Sequence, residues 1–389
     1  MRSWATLIIA LTLAGCATTS TTTVQRGTTV FQDQLFAAPT ENVSADDVFA
    51  LSEPMQRYIG TDIAGQLREK GGQQGLFDAL YGKDQLQLEY DATMTRNAAQ
   101  AFEARSGNCL SLVILTASFA KQLGLPVRYN LVFVDDVWSR NGGLDFFDTH
   151  VNVTLGAKDG IGRKGTTNAS EMTVDFLPPS NLGKLRTRVI SEATIVAMYM
   201  NNRAAELLSE RKLDRAYWWA RAAVQRDPHY VPAFNTLGVI YKWHGDLKES
   251  ELVFRQILEV EPENAIALSN LLLVLTDSGR EAEAKIAAEQ LKNIRPVPPF
   301  HYFDLGLEAM KAKNYTIAKA MFTRQIQRDA ANDQSQFWLA LAYYNLGDVK
   351  SARKHLAIAV ETSTTKSNRE LYAAKLAEIS GASVQSRQR

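Results

Sequence analysis

Cysteine occurs at only two positions in the chain, 16 and 109, and His150 is the sole histidine before residue 197. A thiol beside an imidazole can do covalent acyl chemistry: the sulfur attacks a carbonyl and the ring carries the proton. Such a ring needs a carboxylate to orient it, and Asp175, in MTVDF, is the candidate. Asp148 is its local rival, two residues before His150 in DTHVNVTL. Taken alone, Cys109 could equally be an inert thiol packed as a small hydrophobe, and His150 an ordinary surface residue. One cysteine and one histidine cannot fill a zinc site of three or four side chains, and no phosphate-cradling glycine loop occurs, so neither metal nor cofactor is expected.

The elements that must position these groups are legible around them. Leu110, Val113, Ile114, Ala117, Ala120 and Leu123 recur at helical spacing, with Asn108 as N-cap and Gly124 and Pro126 as the stop. Cys109 therefore opens a helix, where unpaired backbone N–H groups favour negative charge on sulfur and could hold an oxyanion. Asn108 or Arg105 could assist there, or serve only as a cap and a solvated charge. Residues 127–134 read as a buried strand. In the next strand Val151, Val153 and Leu155 alternate toward the core, which leaves His150, Asn152 and Thr154 on a polar face. Met172 to Phe176 form another short strand with Asp175 opposite its core face. If the two strands are neighbours, Asp175 meets His150 across the ladder.

Gly107-Asn108-Cys109, the turn Gly124-Leu125-Pro126-Val127-Arg128, His150 and Val174-Asp175-Phe176 stand in this order along the chain. Their order and wording resemble the transglutaminase-like family, a papain-related α+β fold using a Cys-His-Asp triad. The resemblance covers about residues 85–180. It implies Cys109 as nucleophile, His150 as base and Asp175 as orienting carboxylate, in a domain over residues 41–190. Val151-Asn152 stand where an aromatic residue often follows the histidine, and Phe176 where proline is common. The Gly-Asn-Cys-Leu-Ser-Leu wording is also similar to a bacterial subgroup in which helical repeats follow this core and some members lack an intact triad.

A period of 34 residues runs through the second half, with units starting near 197, 231, 265, 299 and 333. Leu237, Leu271, Leu305 and Leu339 mark one position. Two others are mostly small, Ala204, Gly238, Leu272, Gly306 and Ala340 in the first, and Ala216, Ser250, Ala284, Ala318 and Ala352 in the second. Gly245, Gly279 and Gly347 turn the chain between helices, and Pro228, Pro262 and Pro296 end units. This pattern resembles tetratricopeptide repeats, five of them over 197–366, followed by a capping helix and tail over 367–389. Stacked repeats form an all-α solenoid with a long groove that takes a protein or peptide partner, and they are expected to fold without the first domain. The geometry of that family places Asn235, Val239, Lys242, Trp243, Asn270, Leu273, Phe303, Leu307, Phe337 and Tyr344 along the groove. Trp243 and Phe303 have packing between repeats as their other reading.

At the other end, Ala5 to Leu13 form an apolar run after Arg2, too short to cross a bilayer of about 30 Å. It closes on Leu13-Ala14-Gly15-Cys16, which resembles the lipobox of bacterial lipoproteins, with a plain signal peptide as the alternative. The resemblance implies that residues 1–16 are a signal peptide ending at a lipidated Cys16, and Ala17 in the next place implies the outer membrane, with the protein facing the periplasm. Residues 17–40, beginning ATTSTTTVQRGTT, are expected to be a flexible tether. With 43 basic against 42 acidic side chains, nucleic acid is not an expected partner. Two functions fit: an envelope thiol enzyme acting on amides by hydrolysis or acyl transfer, or a catalytically silent repeat scaffold. Replacing Cys16 by Ser should move the protein out of the membrane fraction or leave an uncleaved precursor; unchanged fractionation and mature mass would remove the lipid anchor.

Overall fold

The computed structural model describes residues 30–133, 138–141, 144–147, 150–156, 171–176, 186–295, 297–330 and 332–385. The signal segment with Cys16, the tether up to residue 29, Asp148 and Pro296 lie outside the described residues. Among the described residues no helix is long and apolar enough to cross a membrane.

The first half begins with α1 (Glu53–Tyr58), which passes through one π-helical segment (Ile59–Ile63) into α2 (Ala64–Lys70), then α3 (Gly72–Tyr81). Next come β1 (Glu89–Tyr90), α4 (Ala98–Ala104), β2 (Ser106–Gly107) and α5 (Cys109–Gln122), with β1 and β2 paired in parallel. After them run β3 (Val127–Phe133), β4 (Trp138–Asn141), β5 (Leu144–Phe147), β6 (His150–Leu155), β7 (Met172–Val174) and β8 (Arg186–Ile190). Four of these make an antiparallel sheet in the order β7-β6-β3-β8, and β4 pairs with β5 apart from it. Every residue of α5 from Leu110 to Ala120 is buried, so the helix has no solvent face and forms the centre of the domain. Its polar side chains are satisfied within the core: Thr116 Oγ1 bonds the Tyr81 hydroxyl at 2.7 Å, and Ser118 Oγ donates to the Ile114 carbonyl at 2.8 Å.

The second half is helical. Five helix pairs follow: α6 (Glu192–Ser209) with α7 (Leu213–Arg226), α8 (Val231–His244) with α9 (Leu247–Val260), α10 (Ala265–Asp277) with α11 (Glu281–Ile294), α12 (His301–Lys311) with α13 (Tyr315–Arg328), and α14 (Asp333–Asn345) with α15 (Val349–Thr362). A last helix, α16 (Lys366–Gln385), covers the end of the array. Gly245, Gly279 and Gly347 occupy the left-handed region within the turns, and Arg211 and Lys313 hold the same place, with φ of 62° and 57°. All five turns thus repeat one backbone conformation, glycine or not. Two tight crossings repeat as well: a Cβ on Gly238 would lie 2.6 Å from the Phe254 ring, and one on Gly306 would lie 2.5 Å from Phe322. The ring of the second helix fills the notch left by glycine in the first.

Three expectations need correction. Residues 30–40 are not tether: Phe36 stacks on Tyr217 with ring centroids 3.9 Å apart, and Asp33 accepts from the Tyr217 hydroxyl at 2.6 Å and from Arg221 at 2.8 Å. Glu41 then receives Arg215 at 2.7 Å and Trp219 at 2.9 Å. This strap needs aromatic and basic partners that lie some 180 residues away in sequence, so local composition did not reveal it. Second, one continuous hydrophobic core runs from Val30 to Ala287, across the boundary expected at 190–197. The repeats accordingly do not stand apart from the first domain, and their first helix begins at Glu192. Third, Phe303, expected along the groove, is buried, whereas Leu305 is 37% exposed.

Gly245 has a φ of 104°, which no L side chain adopts without strain. Gly245→Ala should therefore cost about 1–2 kcal/mol, whereas Lys313→Gly, relieving the equivalent turn, should be neutral or stabilise by up to about 1 kcal/mol. Thermal or urea denaturation checks both signs.

Candidate functional site

Cys109 is the first residue of α5 and is half-buried. The approach to it is tightly specified. A Cβ on Gly107 would lie 2.6 Å from Ser111 Cβ, so the chain can pass there only as glycine. Asn108 Oδ1 accepts from the Ser111 N–H and from Ser111 Oγ, each at 2.9 Å, while its Nδ2 donates to Thr95 Oγ1 at 2.9 Å. The Asn108 amide thus caps the helix and braces the loop before it. Arg105 is an exposed residue in the left-handed region at the end of α4.

His150 opens β6, opposite Val132 of β3. On its other edge β6 pairs with β7 through Val153 and Val174, a register that brings Asp175 beside Asn152 and diagonally to His150. His150 Nε2–H donates to Asp175 Oδ1 at 2.7 Å, and Asn152 Nδ2 donates to Asp175 Oδ2 at 2.7 Å. Asn130 Nδ2 supports Asn152 Oδ1 at 2.8 Å and also reaches Thr154 Oγ1 at 2.9 Å, and Thr154 Oγ1 meets Thr173 Oγ1 at 2.9 Å. The polar face expected to look away from the core is itself buried; His150, Asn152 and Thr154 are all nearly inaccessible. It is filled by polar side chains that satisfy one another, so the alternation survives although neither face is open.

The Cys109 side chain acts on the His150 ring and favours its protonated form. Burial alone would make His150 harder to protonate, but the hydrogen bonds to Asp175 and then Cys109 outweigh it and raise its pKa to about 9. The three residues singled out by type thus come together in space. Asn152 was not singled out; its place two residues after His150 on the same face was the available signal, but only the β6–β7 register shows that it holds the carboxylate. Among the described residues no group of His, Cys, Asp and Glu is arranged to hold a metal ion.

The residues expected along the repeat groove fare differently. Asn270 Nδ2 donates to Asn235 Oδ1 at 2.8 Å, Lys242 pairs with Asp277 at 2.9 Å, and Arg211 lies over the Trp243 ring at 3.7 Å. These pairs stitch neighbouring repeats together. Phe303 is corrected from groove to core: it is 5% exposed and packs edge-on to Phe300 and Phe322. Phe337 is half-buried, stacked 4.7 Å from Tyr372 of the final helix, so the cap takes part of the surface expected for a ligand. Tyr344, 39% exposed, remains open, as does Leu273.

The family described as "Tetratricopeptide repeat" matches residues 303–366, the last two helix pairs. Solved structures similar to the array include a thermophilic tetratricopeptide-repeat protein of Thermus thermophilus, 15% identical over 46% of this chain and 98% of that one, with a TM-score of 0.29. YrrB, described as a repeat protein with an unusual peptide-binding site, is 20% identical over 46% of this chain and 92% of its own, with a TM-score of 0.25. PilF of Pseudomonas aeruginosa is 18% identical over 49% and 86%, with a TM-score of 0.28. The chain carries tetratricopeptide repeats, and what these proteins bind says nothing of its own ligand.

The raised pKa of His150 links the site to stability. A histidine held protonated by the fold contributes fully below its unfolded value near 6.5, and the contribution is lost as pH rises through about 9. Urea denaturation at pH 6 and pH 9.5 should show a loss on the order of 3 kcal/mol in the wild type and a clearly smaller one in His150→Gln.

Proposed function

We propose that the chain is an envelope lipoprotein, anchored through Cys16 to the outer membrane and facing the periplasm, whose transglutaminase-like domain uses Cys109, His150 and Asp175 on amide bonds while the repeats hold a protein or peptide partner. One observation carries the catalytic part: the His150 ring holds the part-buried Asp175 carboxylate on Nε2, and Cys109, the only described thiol, also acts on that ring. In this reading the Cys109 sulfur attacks the amide carbonyl, and His150 gives a proton to the departing amine as a thioester forms. Water or a second amine then attacks the thioester and returns the sulfur, which makes hydrolysis and acyl transfer two outcomes of one intermediate. Asp175 keeps the ring oriented and charged, and Asn152 keeps Asp175 in place. The lipobox-like segment carries the anchoring, and the tetratricopeptide repeats carry the partner.

Alkylation of Cys109 in the folded protein should be fast. It should slow at least about tenfold in His150→Ala, and less in Asp175→Ala. Envelope peptides should release ammonia or incorporate a labelled amine, and Cys109→Ala should do neither. Sluggish alkylation that ignores His150, with no turnover, would leave the repeat scaffold as the function.

A further inference from the structure

The loop of residues 91–96, between β1 and α4, touches the start of the cysteine helix and both ends of the repeat array. On the cysteine side, the Asp91 N–H donates to the Gly107 carbonyl at 2.9 Å, and the Arg96 N–H donates to Ser111 Oγ at 2.8 Å. Thr95 Oγ1 receives Asn108 Nδ2, the other end of the amide that caps α5. On the repeat side, Asn202 Nδ2 reaches the same Thr95 Oγ1 at 3.1 Å, and the Thr95 N–H donates to Glu206 Oε1 at 2.6 Å. Asn202 and Glu206 both belong to α6, the first helix of the array, and Arg203 pairs with the Glu206 carboxylate. The Ala92 N–H donates to the Thr364 carbonyl at 2.8 Å, just before the final helix.

Thr95 is 1% exposed, so water cannot take the place of a partner it loses. Asn108 is held by Thr95 through Nδ2 and by Ser111 through Oδ1, and Cys109 is the next residue. A shift in Thr95 therefore moves Asn108 or breaks its cap, and either change displaces the sulfur relative to His150, which is held by a separate network on β6 and β7. Displacements below 1 Å between reacting groups are enough to change rates greatly.

We infer that Asn202 and Glu206 are positioning residues for Cys109, acting through Thr95 and Asn108, so that the first repeat helix sets the place of the thiol. The inference rests on the reading of Cys109 as a nucleophile. It gives the repeats a part in the chemistry besides holding a partner: a ligand that moves α6 alters the reactivity of the thiol.

The test is the alkylation rate of Cys109 in the full chain, with far-UV circular dichroism to verify folding. Thr95→Val keeps the shape and loses both side-chain hydrogen bonds; it should slow alkylation about tenfold, while Thr95→Ser, which keeps the hydroxyl, stays near wild type. Glu206→Leu should also slow it, and Glu206→Gln, which retains an acceptor, should restore most of the rate. In a His150→Ala background Thr95→Val should have no further effect, because the geometry it disturbs no longer matters. A purely structural role would instead loosen the site and speed alkylation in both backgrounds. Rates within twofold of wild type for Thr95→Val and Glu206→Leu, or equal slowing in the His150→Ala background, would overturn the positioning role. If Thr95→Val does not fold, Asn202→Ala, half-buried on α6, is read by the same criteria. A His150→Ala rate equal to wild type would show instead that the nucleophile reading had failed, and the positioning role with it.

Discussion

The Asp175 carboxylate is the constraint on which the rest of the site depends. A part-buried carboxylate is costly unless its oxygens are paired, and here one takes the His150 ring and the other the Asn152 amide. That arrangement requires β6 and β7 to pair in one register, since a slip by a single residue would turn Asp175 to the opposite face. It also fixes the ring by engaging Nε2. The pair thus settles strand register, ring orientation and charge together.

The cysteine arrives from a different part of the domain, and its position is set by packing rather than by the sheet. The α5 helix is enclosed on all sides, its cap is braced by Thr95, and the loop holding Thr95 is tied to α6. The repeats and the first domain consequently share a hydrophobic core instead of meeting at a linker. The strap around Phe36 and Glu41 strengthens this union from the other side, since it buries aromatic rings of α7 that would face water in an isolated array. Farther along, the core is interrupted between Ala287 and Phe300, where Arg328 reaches back to the carbonyls of Val297 and Pro298. Beyond it one cluster runs from Phe300 to Ala342, and another joins Ala340 and Leu356 to Ile379 of the cap.

Much of this was legible in residue types and spacing. Rare reactive side chains drew attention to Cys109 and His150; alternation placed Asp175 on the right face, and the 34-residue period located the helix pairs. What escaped was whatever depends on distant partners. The role of Asn152 follows from strand register, and that of the strap from Tyr217 and Trp219, neither of which local composition encodes. Arg211 and Lys313 were missed as turn residues because glycine marks the left-handed conformation but is not required for it. Phe303 was misplaced because its burial depends on the rings of Phe300 and Phe322, a packing that the repeat pattern alone does not specify. Phe337 was misplaced because the final helix claims a surface that a repeat pattern alone leaves open.

The central claim is that the Asp175 carboxylate keeps the His150 ring charged. Its most direct test is the titration of the His150 ring, followed by nuclear magnetic resonance in protein carrying isotope-labelled histidine and assigned with His150→Gln. The account places the midpoint near 9 in the wild type and much lower in Asp175→Asn, where burial is no longer opposed by a negative partner. A wild-type midpoint at or below the ordinary 6.5, or one that Asp175→Asn leaves unmoved, would contradict it.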